Sequence, residues 1–295
     1  MPRAQLGDIW QCGEHRVMCG SSTDKEALDL LMDGELADFV FTDPPYGVAI
    51  GTKNAMLSEL GSKGGRITKD IEGDAMPLDD LQKMLTDAFI NLRAHCADHC
   101  SYYITIPVSG AVGRVMYDML AAAEIPFRHQ LIWAKSSPTF SLGRLDYDYQ
   151  HEPVCYTWTK SHRFRGGYGS TLIDDNQKLE GLSNSELKDI IRAYRAPKDT
   201  SVVYCDKPKK CDLHPTMKPI KLIARFMYNS SRKGDIVLDI FGGSGSTLIA
   251  SEQLERKCRI IELDPHYADV IIGRWEEYTG ESAKLIRRTD VQENA

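Results

Sequence analysis

Two short stretches hold residues whose types and spacing suit chemistry. The first is Thr42-Asp43-Pro44-Pro45-Tyr46. Proline has no backbone donor and stiffens the turn it occupies, so the carbonyls of Asp43 and Pro44 are fixed as acceptors. With the Asp43 carboxylate and the Tyr46 ring, the turn sets acceptors beside a stacking platform. That combination matches a planar group carrying an exocyclic amino group, whose two hydrogens the acceptors take while the ring stacks. The plainer reading is a proline turn that ends a strand, with Tyr46 as packing.

The second stretch is Asp239-Ile240-Phe241-Gly242-Gly243-Ser244-Gly245-Ser246-Thr247. Glycines let a backbone approach a ligand closely, and a helix start presents unpaired N–H groups, which together suit a nucleotide-like ligand. The pattern departs from the dinucleotide fingerprint, because Leu248 stands at the third glycine position. It departs from a P-loop because no lysine follows. Glu262, at the end of the next expected strand, is placed to accept from two ribose hydroxyls. A third cluster, His95-Cys96-Ala97-Asp98-His99-Cys100, has the residue types of a metal site but not the spacing of a common zinc site. Cys205 and Cys211 flank a lysine-rich turn and make no better case. No metal is expected.

These residues need elements to position them. Residues 36–42 read as a buried strand that delivers Asp43 at its carboxyl end, where open α/β sheets place ligands. Residues 101–106, 128–133, 153–158, 235–240 and 258–262 read as further strands. Helices are expected over 78–94, 110–123, 219–227, 247–254 and 265–278, from apolar spacing and from prolines at first turns. The strand at 153–158 follows its predecessor without a clear helix and is expected to be antiparallel. Strands alternating with helices predict a doubly wound, mostly parallel α/β sheet. Residues 49–74 read as a long loop, and the polar segment 161–200 as an insertion that the sheet does not require. The catalytic body is thus 1–160 with 201–295.

The chain has 295 residues, 42% apolar and 26% charged, with a net charge of −6, ordinary values for a globular domain. No apolar run approaches the ~20 residues of a membrane span, and the N-terminus does not resemble a signal peptide. Eight cysteines without a Cys-x2-Cys pair in a chain of this length point to reduced thiols and a cytoplasmic setting. The acidic balance does not announce a nucleic-acid binder, although a local basic stripe can sit on an acidic protein.

Taken together, the motifs resemble those of the S-adenosylmethionine-dependent amino DNA methyltransferases, which modify adenine N6 or cytosine N4. Asp43-Pro44-Pro45-Tyr46 is similar to their catalytic motif and Asp239 to Gly245 to their cofactor loop. His214-Pro215-Thr216-Met217-Lys218-Pro219 is similar to a third motif that touches the methionine end of the cofactor. Weaker matches are Ile132-Trp133-Ala134-Lys135 and His151-Glu152-Pro153-Val154-Cys155-Tyr156. Catalytic motif before cofactor motif is the permuted order of the β group. The resemblance implies a class I methyltransferase fold, Rossmann-like, with seven strands of which one is antiparallel, and a target-recognition insertion at 161–200.

The resemblance further implies S-adenosylmethionine as cofactor, held by Asp43, Thr216, Lys218, Asp239, Phe241, Gly243, Ser244, Gly245, Thr247 and Glu262. Phe241 is expected against the adenosine and Thr216 with Lys218 at the methionine carboxylate. The implied partner is double-stranded DNA with no membrane, and dimers are common in this group, so a homodimer stays open. Candidate phosphate contacts are Lys53, Lys63, Arg66 and Lys69 in the long loop, Arg163, Arg165, Lys178, Arg192 and Arg195 in the insertion, and Lys207, Lys209 and Lys210 beyond it. One departure concerns Cys19-Gly20-Ser21-Ser22-Thr23, which stands where the family often carries Gly-Asp beside the adenine. Ser21 there either bonds a ligand or caps the helix at Lys25. Asp264 either approaches the adenine edge or starts a helix. The expected target is adenine, with cytosine N4, an RNA or protein-glutamine substrate, and an inactive DNA-binding regulator as alternatives.

Overall fold

The computed structural model describes residues 2–47, 76–108, 110–136, 148–165, 201–205 and 217–287. Its strands are β1 (Ile9–Cys12), β2 (His15–Cys19), β3 (Ala37–Thr42), β4 (Cys96–Thr105), β5 (His129–Ala134), β6 (His151–Trp158), β7 (Val202–Tyr204), β8 (Ile236–Asp239), β9 (Lys257–Glu262) and β10 (Lys284–Arg287). Its helices are α1 (Lys25–Met32), α2 (Leu78–Ala94), α3 (Gly110–Ala122), α4 (Ile220–Ser230), α5 (Ser246–Gln253) and α6 (Pro265–Thr279). One sheet runs β10-β1-β2-β9-β8-β3-β4-β6-β5-β7.

The expectation of seven strands is corrected to ten among the described residues. Strands β2, β9, β8, β3 and β4 are mutually parallel, and β6 runs against both β4 and β5. The additions are at the edges: β1 and β10 pair antiparallel outside β2, and β7 pairs parallel with β5. Two strands, β1 and β6, therefore oppose the rest, not one. The edge strands are short, and β10 is exposed along its whole length, so they carry no apolar run that a sequence reading would detect. β4 also starts at Cys96, which puts the His95 to Cys100 cluster at a strand start.

Alternation of side chains across the pleat builds the two cores. Val40, Tyr102, Ile104 and Leu238 face a cluster with α1, α2 and α3. Phe39, Phe41, Tyr103 and Val237 face the opposite side, where Leu222, Ile223, Phe226 and Met227 of α4 cover them. Further along, α5 and α6 close over Val17, Cys258 and Ile260. Parallel strands covered on both faces must be apolar on both, which is why β3 and β8 carry the unbroken apolar runs Phe39-Val40-Phe41 and Ile236-Val237-Leu238. In α2 the buried residues Leu81, Leu85, Ala88, Phe89 and Leu92 repeat at helical spacing.

Local polar groups fix the ends. Asp24, not Ser21, caps α1, accepting from the N–H groups of Glu26 and Ala27, while Ser21 bonds Thr23. Asp264 caps α6 through the His266 N–H at 2.8 Å, with Pro265 at the first turn. His95 bonds the Asn91 carbonyl and the Asp29 carboxylate, and His99 bonds Asp38. The two histidines thus face different partners, and no group of three metal-ligating side chains comes together among the described residues. Among those residues no helix is long and apolar enough to cross a membrane.

His15 joins β2, β9 and α5. Its Nδ1 accepts from the Cys258 N–H at 2.9 Å, so Nε2 carries the proton and donates to Glu252 at 2.8 Å. The same Glu252 oxygen accepts from Trp275 at 2.8 Å. Burial holds the imidazole below its ordinary pKa against the pull of Glu252. The unfolded chain therefore takes up this proton at a higher pH than the folded one, and the stability that neutral His15 contributes is lost as the pH falls below about 6.5. The difference in unfolding free energy between the wild type and His15→Gln should shrink as the pH drops from 7 to 5. Urea unfolding at each pH measures it, and titrating groups away from His15 and its partner Glu252 cancel in the difference.

Candidate active site

β3 and β8 are neighbouring parallel strands, paired through Phe39–Val237 and Val40–Leu238. Their carboxyl ends release the Asp43 turn and the glycine loop side by side. A buried carboxylate joins the two. Asp239, 3% exposed, accepts from Thr42 Oγ1 at 3.0 Å, from Thr247 Oγ1 at 2.6 Å and from the Phe241 N–H at 3.2 Å. Burial pushes its carboxyl up to about 7, against those three hydrogen bonds. The geometry gives Asp239 and Thr247 the task of holding one stretch against the other.

The loop itself is tightly bonded. The Gly243 N–H donates to Glu262 at 2.7 Å, the Asp264 N–H to the other Glu262 oxygen at 2.9 Å, and the Gly242 N–H to the Ile261 carbonyl at 3.0 Å. Burial pushes the Glu262 carboxyl up to about 7 as well. Arg274 of α6 reaches the Ser244 carbonyl. Phe241 packs on the α2 core, 6.5 Å from Phe89. Gly243 and Gly245 both have positive φ, 52° and 77°. A Cβ on Gly245 would lie 3.0 Å from Ile271, and one on Gly242 would lie 2.8 Å from the same residue. These glycines therefore admit α6 as well as giving the loop its curvature. For a nucleoside-like cofactor the donor set fits: backbone N–H groups at a helix start and a carboxylate at the adjacent strand end for a vicinal diol.

At the Asp-Pro-Pro-Tyr turn, Asp43 is surrounded by donors. Thr105, the last residue of β4, donates to Oδ1, and Tyr46 lies 3.5 Å from the same oxygen. Lys218 donates to Oδ2 at 2.6 Å. The Tyr46 phenol is held well above its ordinary pKa, first by burial and then by the Asp43 charge, so it stays a donor. For Lys218 burial opposes the charge, but Asp43 and Glu152 outweigh it and raise the pKa. Lys218 is also 3.5 Å from Glu152, which Lys135 holds at 2.5 Å.

Asp43, Tyr46, Lys218, Asp239, Phe241, Gly243, Ser244, Gly245, Thr247 and Glu262 thus share one rim of the sheet. Thr216 lies outside the described residues, as do Lys53, Lys63, Arg66, Lys69, Lys178, Arg192, Arg195, Lys207, Lys209 and Lys210. Arg163 and Arg165 are not brought to this rim. Arg163 pairs with Asp235 at 3.1 Å and approaches Asp38 at 3.8 Å, while Arg165 bonds the Asn229 carbonyl and lies over Tyr228. Asp38 and Asp43 are opposite ends of β3, roughly 16 Å apart on an extended strand. Thr105, Lys135 and Glu152 were not expected at the site. The signal available for the last two was a charge set within otherwise apolar strand segments.

The sequence matches the family described as "DNA methylase" (N6_N4_Mtase) over residues 37–273. The chain belongs to that family. Members use S-adenosylmethionine to methylate DNA amino groups. Curated relatives include the type II methyltransferase M2.DpnII of Streptococcus pneumoniae, 22% identical with 83% of this chain and 84% of that one covered. Another is M2.MboI of Moraxella bovis, 26% identical with 82% and 81% covered. Among solved structures, the M1.HpyAVI–SAM complex has a TM-score of 0.55 at 17% identity, covering 88% of this chain and 97% of that one. The cytosine-N4-specific PvuII DNA methyltransferase has a TM-score of 0.56 at 14% identity, covering 92% and 88%. The shared architecture is the methyltransferase α/β fold with a large mixed sheet.

Gly245→Val should destabilise the fold by about 1–3 kcal/mol, because the site requires positive φ and Ile271 stands in the way of a side chain. Thermal unfolding measures that loss, and calorimetry with S-adenosylmethionine should show weakened binding in the fraction that remains folded.

Proposed function

We propose that the chain methylates the exocyclic amino group of a base flipped out of DNA, with adenine N6 as the target. The observation that carries this reading is the placement of the Asp43 acceptor on β3 directly beside the glycine loop on β8, joined through Asp239. The Asp form of the catalytic motif supports adenine, since the Ser form leans to cytosine within the resembling family.

An amino group on an aromatic ring is a weak nucleophile because its lone pair is delocalised into the ring. Asp43 and the Pro44 carbonyl accept its two N–H bonds, which localises the lone pair on nitrogen and aims it. Tyr46 stacks on the extruded base and offsets part of the unstacking cost of a few kcal/mol. Gly243, Ser244, Gly245, Phe241 and Glu262 hold the cofactor. Bound S-adenosylmethionine supplies an electrophilic sulfonium methyl group. The protein's contribution is positioning and fixed dipoles at the reacting nitrogen, with no covalent enzyme intermediate.

Asp43→Ala should lower methyl transfer by roughly a hundred- to a thousandfold while preserving the fold, because Lys218 keeps Glu152 as a partner. Transfer of label from S-adenosylmethionine to duplex DNA, with analysis of the modified nucleoside, measures the loss and identifies the base. A modified cytosine in place of adenine would reassign the target.

We assign target recognition to residues 161–200. The segment carries Arg, Lys, Asn and Gln, which can bond base edges in the major groove, and the sheet resumes at β7 after it. Exchanging its residues 166–200, which leaves the Arg163 and Arg165 contacts in place, with the equivalent segment of a relative should change the methylated sequence and leave cofactor affinity within about twofold. Sequencing of modified bases reads the outcome. A folded, active chimera with its original site would move the assignment to the loop at 49–74.

A further inference from the structure

Four charged side chains stand in a row along the carboxyl rim. Asp43 follows β3, Glu152 lies on β6, and Lys135 follows β5, with Lys218 above them just before α4. Signs alternate: Asp43 to Lys218 is 2.6 Å, Lys218 to Glu152 is 3.5 Å, and Glu152 to Lys135 is 2.5 Å. Lys218 and Lys135 are buried, 9% and 6% exposed. The register of β5 and β6 fixes the far half of the row, since Glu152 pairs with Trp133 and the Lys135 N–H bonds the Gln150 carbonyl at 2.9 Å.

The near half of the row conflicts with catalysis as drawn above. Asp43 Oδ2 is engaged by an ammonium, whereas the target base needs that carboxylate as an acceptor. An ammonium at 2.6 Å also neutralises the charge that would draw an amino hydrogen, and it repels positive charge developing on the nitrogen. Lys218 therefore has to give up Asp43. A buried ammonium cannot be left without a partner, and the acceptor within reach is Glu152, already 3.5 Å away. Closing to hydrogen-bonding distance of Glu152 takes less than 1 Å, and leaving Asp43 altogether takes a larger swing of the same side chain. Lys135 holds Glu152 in place for it and balances its charge when Lys218 is on Asp43.

We propose that Glu152, held by Lys135, is a positioning residue for methyl transfer, taking the Lys218 ammonium from Asp43 so that Asp43 can accept the target amino group. This inference rests on the methyl-transfer reading and deepens it. Before the base enters, Lys218 shields Asp43 and shares itself with Glu152. After entry, Lys218 sits on Glu152 and Thr105 continues to orient Asp43 from the β4 side. Tyr46 also faces Asp43, and as a neutral phenol it does not compete with the ammonium for charge, while the Asp43 charge adds to the burial that raises the Asp239 carboxyl.

Glu152→Gln keeps the shape and removes the charge. With lysine labelled at the ε-carbon, NMR titration of the whole protein should show Lys218 titrating at a lower pH in Glu152→Gln than in the wild type, and lower still in Asp43→Asn with Glu152→Gln. Turnover by folded Glu152→Gln should fall by about ten- to a hundredfold in kcat with a smaller change in KM for DNA, and the melting temperature should drop, because buried Lys135 is left facing a neutral amide. Glu152→Asp, which keeps the charge, should recover part of the kcat. An unchanged Lys218 titration, or an unchanged kcat, in Glu152→Gln overturns the proposal. If Glu152→Gln does not fold, Glu152→Asp carries the same two measurements, with the same shifts expected in smaller size. Failure of the wild type to methylate DNA would instead strike the functional reading, and the titration would still report whether Glu152 holds Lys218.

Discussion

The site depends on one buried carboxylate. Asp239 ends β8 and collects hydrogen bonds from Thr42 on β3, Thr247 on α5 and the Phe241 backbone. A carboxylate removed from water is costly unless its oxygens are satisfied, and here both are. The three donors come from the end of one strand, the turn after its neighbour and the helix that follows. Their common acceptor fixes the Asp43 turn relative to the glycine loop. Taking Asp239 away would leave two buried hydroxyls without their acceptor, at about 1–3 kcal/mol each, and would loosen the relation on which the chemistry rests.

Parallel strands give the sheet two unlike edges. At the carboxyl edge the loops carry Asp43, the glycine turn and Glu262. At the amino edge Asp38 accepts from the Ile236 N–H and from His99, and Asp235 holds Arg163. The acidic groups at that edge tie strand starts and the segment leaving β6 to the body of the fold. Arg163 and Arg165 serve this closure, and the same residue types that suit phosphate contact are here used in ion-pair and ring contacts. Charge alone did not distinguish the two uses, because the edge on which a residue emerges is a property of strand direction.

Lys218 shows how the ends of the chain depend on each other. It lies 175 positions after Asp43, yet its ammonium is stable in a buried place because carboxylates from β3 and β6 face it. The same carboxylates need it in return. The rim is therefore a set of alternating charges in which Lys218 faces two carboxylates and Glu152 faces two ammonium groups.

Much of this was legible in the sequence. Unbroken apolar runs such as Phe39-Val40-Phe41 marked strands covered on both faces, helical spacing marked α2 and α4, and Asp264-Pro265 marked the start of α6. The residue types in Asp43-Pro44-Pro45-Tyr46 and in the glycine stretch pointed to a chemistry from the sequence alone, because proline, glycine and carboxylate act through short-range sterics and hydrogen bonding. Strands β1, β2, β7 and β10 were not legible, since short or exposed strands carry little periodic signal. Nor was the partner of any charged side chain. That Asp239 would face Thr42 and Thr247, that Gly245 would admit Ile271, and that Lys218 would meet Asp43 and Glu152 depended on strand order and register. Such contacts join residues far apart in the chain, and only the packed sheet brings them within hydrogen-bonding distance.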